Sequence, residues 1–246
     1  MKRREMLQSM GSAGVLGLFS NALSPPSRAQ GLRPFTVRGS GPALIVFDRP
    51  PRGFYDQLTD RYRVVVIDEA FEGANAPNAK SLTADRVCAD ILAVADAAGV
   101  DRFAWFGFSW GAVVGLQLAT RVGTEVTNRL SALVCGGWPP LGGQYAETLA
   151  YGEWAAAQGR DMTPTLTFYR SIRGWPEREA VSKIHCPRMA FAGNKDEFVP
   201  GADQKIRIGP LVAEHRAELE WLGWTVELID RFGHELGDDR TLSCLS

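Results

Sequence analysis

A serine flanked by glycines lies where an apolar strand turns into a helix. The motif is Gly107-Phe108-Ser109-Trp110-Gly111, directly after the apolar run Phe103 to Phe106. A G-x-S-x-G motif in this context holds its serine in a strained backbone conformation with the hydroxyl exposed above a sheet, and glycines on both sides relieve clashes between strand and helix. The chemistry indicated is nucleophilic attack by Ser109 on an acyl carbon. The backbone N–H of Trp110, at the helix N-terminus, would then stabilise the oxyanion.

A serine hydroxyl needs a base, and the chain contains three histidines. His185 precedes Cys186 at the start of a strand, and His215 lies among charged residues in a helical pattern. His234 follows the last apolar run and therefore occupies a loop after a strand, which is where the base falls when the order is Ser, then Asp or Glu, then His. We predict His234 as the general base.

The acid of such a triad should follow the preceding strand. The segment from Ala192 to Pro200 supplies two carboxylates there, Asp196 and Glu197. Asp196 is the preferred candidate, since its carboxylate would hold the imidazole tautomer and stabilise its cation. Glu197 is the alternative, and a turn aspartate with a purely structural role stays open.

Strands and helices alternate along most of the chain. Short apolar runs rich in β-branched residues suit strands buried on both faces, and hence a parallel sheet covered by helices. The alternation predicts an α/β doubly wound domain. The predicted strands are Ala43 to Phe47, Val64 to Ile67, Phe103 to Phe106, Leu130 to Val134, Met189 to Ala192 and Thr225 to Ile229. The predicted helices are Thr83 to Ala98, Ala112 to Arg121 and Val212 to Leu222.

One region, from Trp138 to Lys183, interrupts the alternation. It is rich in glycine and then in aromatic residues, which predicts an insertion of one to three short helices. An insertion between two core strands would lie over the carboxyl ends of the sheet, where open α/β folds bind ligands. The candidate apolar contacts to a substrate are aromatic: Phe108, Trp110, Trp138, and, in the insertion, Tyr151, Trp154, Phe168, Tyr169 and Trp175. Ordinary packing is the alternative for each.

The first 29 residues resemble an export signal. Lys2 to Arg4 is a charged start, Ser9 to Leu23 is uncharged, and Ser27 to Ala29 resembles a cleavage site. The pair Arg3-Arg4 resembles a twin-arginine signal, so we expect export, with a periplasmic destination and a mature domain over residues 30–246. The alternative is a wrongly assigned start followed by a disordered tail. The segment is too short and too polar for a membrane anchor, which takes about 20 apolar residues.

Charge and cysteine content narrow the range of partners. Lysine and arginine number 27 against 28 aspartates and glutamates, a net charge of -1, so nothing in the composition indicates binding to nucleic acid or an anionic membrane. The four cysteines are far apart, without the spacing of a zinc or redox motif. A Cys186–Cys244 disulfide is one pairing that export would allow. A small-molecule partner is expected, and the oligomeric state stays open.

These segments resemble the α/β-hydrolase superfamily. The elbow Gly107 to Gly111, the stretch Gly193 to Asp196 and the pair Gly233-His234 match that family's nucleophile, acid and base segments in order, and the resemblance spans Pro42 to His234. It implies eight-stranded ancestry, a mostly parallel sheet flanked by helices and a small helical cap at the insertion. It also implies a Ser-His-Asp mechanism without a metal or other cofactor.

The sequence departs from that family after the first predicted strand. Members usually carry His-Gly there, followed by the backbone N–H that is the second oxyanion donor. This chain has Phe47-Asp48-Arg49-Pro50-Pro51, which places Pro50, a residue without an N–H, at the donor position. A shift of one residue would offer Arg49 instead, and Arg49 or Arg52 could supply a charged side-chain donor, with a solvated arginine pair as the alternative. The next connection is short, so its helix is expected only over about Gly53 to Asp60.

The resemblance implies an exported serine hydrolase that cleaves a carboxylic ester or lactone of a small to medium apolar acid through an acyl-enzyme on Ser109. His234 would act first as base and then as acid. A serine at the elbow argues against the family's dehalogenase and epoxide-hydrolase branches, which need a carboxylate nucleophile, while a peptidase or a carbon–carbon bond hydrolase stays open. The alternative is a degenerate domain of this fold that binds a ligand without turnover.

Overall fold

A computed structural model of the chain describes residues 32–48, 54–68, 78–121, 128–201 and 204–234. The export-signal prediction for residues 1–29, Arg49, Arg52, Cys244 and the segment after His234 lie outside the described residues. The strands are β1 (Phe35–Arg38), β2 (Ala43–Phe47), β3 (Arg63–Ile67), β4 (Phe103–Phe108), β5 (Leu130–Gly136), β6 (Arg188–Gly193), β7 (Glu197–Gly201), β8 (Gln204–Arg207) and β9 (Trp224–Ile229).

Helices cover the sheet and separate most of its strands. The helices are α1 (Ala84–Ala97), α2 (Trp110–Arg121), α3 (Tyr145–Ala157), α4 (Thr163–Ser171), α5 (Glu177–Ser182), α6 (Ile208–Glu214) and α7 (Arg216–Trp221), with short 3-10 helices at Phe54–Leu58 and Ala79–Ser81. None of the helices in the described ranges is long and apolar enough to cross a membrane.

The main sheet has seven strands within the described residues, in the order β1-β3-β2-β4-β5-β6-β9. All neighbouring pairs are parallel except β1 with β3. The predicted class, a mostly parallel sheet flanked by helices with a small helical cap, is therefore confirmed. The described residues contain one strand fewer in this sheet than the eight implied by family resemblance. The remaining strands, β7 and β8, form a separate antiparallel hairpin.

The strands are buried on both faces, which explains why their sequences are continuously apolar rather than alternating. In β2, Ile45 and Phe47 enter one core cluster, while Leu44 and Val46 enter a second cluster on the other face. All four side chains are at most 5% exposed. The sheet is therefore a rigid central layer, and its carboxyl edge is a well-defined place for a site.

Two predicted elements differ in detail. The helix expected from Val212 to Leu222 is two helices, α6 and α7, because the chain breaks at His215, which caps both. The segment expected as a helix near Gly53 to Asp60 is a 3-10 helix at Phe54–Leu58 that buries three side chains. The hairpin of β7 and β8 was not predicted.

The insertion between β5 and β6 contains α3, α4 and α5. A side-chain amide fastens it to the hairpin: Nε2 of Gln144, just before α3, donates to the carbonyl of Lys205 at 3.0 Å, and Oε1 of Gln144 accepts from the N–H of Arg207 at 2.5 Å. Gln144 thus pairs with β8 much as a strand residue would. The helices of the insertion and the hairpin form a common cover near the carboxyl edge of the sheet.

Candidate active site

Ser109 stands at the sharp turn between β4 and α2. Its φ is +56°, a left-handed conformation that costs a non-glycine residue roughly 1 to 3 kcal/mol. Its N–H donates to the carbonyl of Gly136 at 2.7 Å, and its carbonyl accepts from the N–H of Ala112 at 3.0 Å. The neighbouring strand and the following helix thus hold the turn, and the strain positions the hydroxyl above the sheet edge.

The two glycines of the motif are not equivalent. A Cβ at Gly107 would collide with the backbone of Gly111, so this position requires glycine. A Cβ at Gly111 would meet only Cδ2 of Phe47, at 3.6 Å, which is an ordinary contact. The expectation that both positions need glycine for steric reasons is wrong for Gly111, because the helix leaves room on that side.

The structure brings Ser109, His234 and Asp196 together. Nε2 of His234 lies 2.9 Å from Oγ of Ser109. Nδ1 of His234 lies 2.9 Å from Oδ2 and 3.1 Å from Oδ1 of Asp196. Asp196 is 1% exposed, so its carboxylate interacts with the imidazole away from bulk water. With Nε2 accepting the hydroxyl proton, Nδ1–H donates to Asp196, which is the tautomer that a general base requires.

Glu197, the alternative acid, faces away from His234. Asp196 lies in a tight turn after β6, where its N–H donates to the carbonyl of Gly193 at 3.0 Å. The next residue begins β7, and its exposed carboxylate lies 2.9 Å from Nζ of Lys205. That hydrogen bond lowers the pKa of Glu197. The carboxylates of these two adjacent residues therefore differ in environment: that of Asp196 is buried, and that of Glu197 is exposed to solvent.

The other two histidines do not enter this arrangement. His185 is exposed beside the start of β6. Nδ1 of His215 lies 3.8 Å from a carboxylate oxygen of Glu218, on the α6–α7 side of the protein. Neither side chain lines the cavity beside Ser109.

A cavity of about 390 Å³ opens beside Ser109 and His234. Helices α3 and α4 contribute Thr148, Tyr151 and Tyr169, among other side chains, and the hairpin contributes Phe198. Most of the surface is apolar, and no Asp, Glu, Lys or Arg occurs among the described residues that line it. Such a cavity suits an uncharged, largely apolar group attached to the reacting acyl carbon.

Comparisons with known proteins identify the fold. No family model matches the chain. The protein described as the carbamate hydrolase RutD of Klebsiella pneumoniae (strain 342) is 24% identical over 214 residues, covering 70% of this chain and 78% of that one, as is its counterpart in Klebsiella variicola (strain At-22).

Solved structures superpose over most of the chain. An esterase from Exiguobacterium antarcticum gives a TM-score of 0.63 at 16% identity, with 85% of this chain and 91% of that chain covered. An alpha/beta hydrolase from Sphaerobacter thermophilus DSM 20745 gives 0.56 at 19% identity, with coverages of 86% and 94%. This chain has the α/β-hydrolase fold. A third similar structure, E-2-(acetamidomethylene)succinate hydrolase, gives 0.62 at 13% identity, with coverages of 86% and 92%.

In this α/β-hydrolase fold, the structure describes one of the two predicted oxyanion donors, Trp110. Trp110 is the first residue of α2, so its backbone N–H belongs to the group that a helix does not satisfy internally. Its indole stacks on Phe47 at 5.3 Å, which joins the elbow to the end of β2. Arg49 lies outside the described residues. Asp48, just before it, donates its N–H to the carbonyl of Ile67 at 2.8 Å.

Of the eight aromatic residues predicted to contact substrate, four line the cavity: Trp110, Trp138, Tyr151 and Tyr169. Phe108 does not, because alternation along β4 points its ring into the opposite core, where it packs on Phe191 at 6.2 Å. Trp175 does not either: it follows α4 and packs edge-on against Tyr145 at 5.9 Å, beside a separate cavity.

Hairpin residues form one part of the cavity wall that the sequence did not predict. Phe198, Pro200 and Ile206 all line the cavity. A signal was available, since two short segments that carry apolar residues flank Gly201 to Asp203, a turn-like sequence. The two strands have only five and four residues, which is too short for their apolar pattern to indicate strands clearly.

The cysteines give no sign of a metal or disulfide within the described residues. Cys88, Cys135 and Cys186 are free thiols. Burial raises the pKa of Cys135 far above its usual range. Among the residues that the structure describes, no three His, Cys, Asp or Glu side chains are grouped to hold a metal ion.

Proposed function

We propose that this protein is a serine hydrolase that cleaves a carboxylic ester or lactone of a small to medium apolar acid. The observation that carries the proposal is the continuous contact from Oγ of Ser109 through His234 to the buried carboxylate of Asp196. An apolar cavity opens at the reacting end of this chain of hydrogen bonds. Structural roles alone would not require a strained serine at the mouth of a cavity.

The chemistry follows from the geometry. His234 takes the proton of Ser109 as Oγ bonds to the acyl carbon, and the imidazolium is stabilised by Asp196. The tetrahedral intermediate collapses when His234 gives the proton to the leaving oxygen, which leaves an acyl-enzyme on Ser109. Water, deprotonated by His234, then releases the acid. The Trp110 N–H is the first oxyanion donor, with Arg49 proposed as the second.

The comparisons support acyl hydrolysis as the reaction class. Similar structures include the esterase from Exiguobacterium antarcticum and an enol-lactonase from Burkholderia xenovorans LB400, the latter with a TM-score of 0.55. The sequence relatives are described as carbamate hydrolases. We favour an oxygen leaving group over a nitrogen one, because an alkoxide leaves a tetrahedral intermediate more readily than an amide nitrogen does, and Ser109 with His234 supplies the nucleophile and base that an ester needs.

A panel of substrates tests the proposal. We expect purified protein to hydrolyse p-nitrophenyl acetate, butyrate and hexanoate and a simple γ-lactone faster than the matching anilide and carbamate. Ser109→Ala should reduce each rate to background, since the nucleophile and base act as a unit. Absence of turnover with every substrate would favour the alternative, a domain of this fold that binds without catalysis.

Export is the second part of the proposal. The charged start, the uncharged stretch and the Arg3-Arg4 pair support transfer of the folded protein across a bacterial inner membrane. We propose a periplasmic location for residues 30–246.

A further inference from the structure

Two phenylalanine rings contact the imidazole of His234. The ring of Phe108 lies 5.0 Å from the imidazole, centroid to centroid, and that of Phe198 lies 5.5 Å away. Their planes are inclined to the imidazole by 39° and 46°. Phe108 is 8% exposed and belongs to the core, whereas Phe198 is 40% exposed and belongs to the hairpin. The imidazole of His234 therefore contacts one aromatic ring from the core and one from the hairpin.

His234 depends on such contacts for its alignment. It stands in a loop after β9, with its side chain 26% exposed. Its two ring nitrogens must point at Ser109 and Asp196 at the same time, and a misplacement of about 1 Å can cost roughly a hundredfold in rate. Hydrogen bonds to both residues define the ring plane, but water can compete for them on an exposed side. An apolar ring over the imidazole removes that competition.

The hairpin holds Phe198 in place through the cap. Gln144 pairs with the backbone of Lys205 and Arg207 in β8, as described above. At the end of β7, Gly201 lies directly against the indole of Trp154 in α3, so closely that any side chain there would collide with it. The start of α3 and Trp154 therefore contact both strands of the hairpin. Phe198 belongs to the same hairpin and contacts His234, which lies in the loop after β9.

From this geometry we infer that Phe198 is a positioning residue for His234, and that the hairpin and cap together set the alignment of the base. The inference rests on the proposed function. Phe198 also lines the cavity, so a substrate bound there would meet the ring that contacts the imidazole. Positioning His234 in this way requires an aromatic ring at residue 198, because the phenyl ring is the part of Phe198 that reaches the imidazole.

Three variants test the role: Phe198→Ala, Phe198→Tyr and the control Val199→Ala. Val199 follows Phe198 in β7, is 62% exposed and lines no part of the cavity. With p-nitrophenyl butyrate, Phe198→Ala should lower kcat by roughly tenfold to a hundredfold. Phe198→Tyr should recover most of kcat, and Val199→Ala should match wild type. In NMR spectra of Phe198→Ala, the Nδ1 proton of His234 should exchange faster with water.

Two results would overturn the inference. The first is a Phe198→Ala variant with unchanged kcat and a raised KM, which would limit Phe198 to binding substrate. The second is a loss of kcat that Phe198→Tyr does not recover. A wild-type protein with no turnover would instead refute the proposed function, and NMR exchange of the Nδ1 proton would still show whether Phe198 protects the imidazole.

Discussion

Nε2 of His234 lies 2.9 Å from Oγ of Ser109, although 125 positions of sequence separate the two residues. Ser109 follows β4, and His234 lies in the loop after β9, two strands of one parallel sheet that end at the same edge. Asp196 follows β6, which pairs with β9 through Gly193 and Ile229. Parallel order therefore brings the loops after β4, β6 and β9 to one edge of the sheet, with β5 between β4 and β6, and each loop delivers one group.

The choice of Asp196 over Glu197 predicts a sharp difference between adjacent substitutions. Asp196→Asn should reduce kcat by about 10³ to 10⁴, because an amide favours the wrong imidazole tautomer. Glu197→Gln should keep kcat within about twofold of wild type, since surface ion pairs contribute little. Ester hydrolysis rates of the two variants, with folding checked by circular dichroism, decide the matter. Equal losses in both would contradict the assignment.

The elbow predicts unequal effects of its two glycines. Gly107→Ala should destabilise the protein by more than about 3 kcal/mol, since its Cβ collides with backbone that cannot move freely. Gly111→Ala should stay within about 1 kcal/mol of wild type, because alanine favours the helix by that amount and the Phe47 contact is ordinary. Urea unfolding measures both values. A severe loss of stability in Gly111→Ala would show that the steric account of the elbow is wrong.

The second oxyanion donor gives a prediction at Arg49. The stacking of Phe47 on Trp110 brings the end of β2 to the elbow, and Arg49 follows Phe47 by two positions in the sequence. If the backbone N–H of Arg49 is the donor, Arg49→Ala should change kcat little and Arg49→Pro should lower it by about 10² to 10³. If the guanidinium is the donor, Arg49→Ala alone should produce a loss of that size with KM nearly unchanged. Full activity in both variants would remove Arg49 from the oxyanion hole.

The export proposal is tested with a fusion of residues 1–30 to a reporter that folds before transport. We expect it to reach the periplasm of a bacterium that has the twin-arginine route. Arg3→Lys combined with Arg4→Lys should stop transport, since the receptor reads the guanidinium pair rather than charge alone. Transport of unfolded reporters only would indicate the general secretory route instead.

Sequence reasoning succeeded where one physical rule dominates. Strand β2 was predicted to the residue because burial on both faces leaves only apolar side chains. The order Ser109, Asp196, His234 was predicted because the G-x-S-x-G elbow is typical of folds in which the nucleophile, the acid and the base follow one another in that order.

Prediction from the sequence failed where the local structure depends on neighbours distant in sequence. Nothing local tells whether the ring of Phe108 faces the cavity or the opposite core, because that depends on the register of β4. The break at His215 likewise interrupts a segment whose apolar pattern is helical throughout. The hairpin has too few residues for its pattern to be distinctive, and its position is set by Gln144 and Trp154 in a different element.

Covalent labelling of Ser109 tests the central claim most directly. A fluorophosphonate reacts with a serine only when a base activates it, so the intact protein should gain one adduct, and peptide mass spectrometry should place it on Ser109. Ser109→Ala should remain unlabelled, and His234→Ala should react far more slowly. An unlabelled wild-type protein, or an adduct on any other residue, would contradict the account of Ser109, His234 and Asp196 as a catalytic unit.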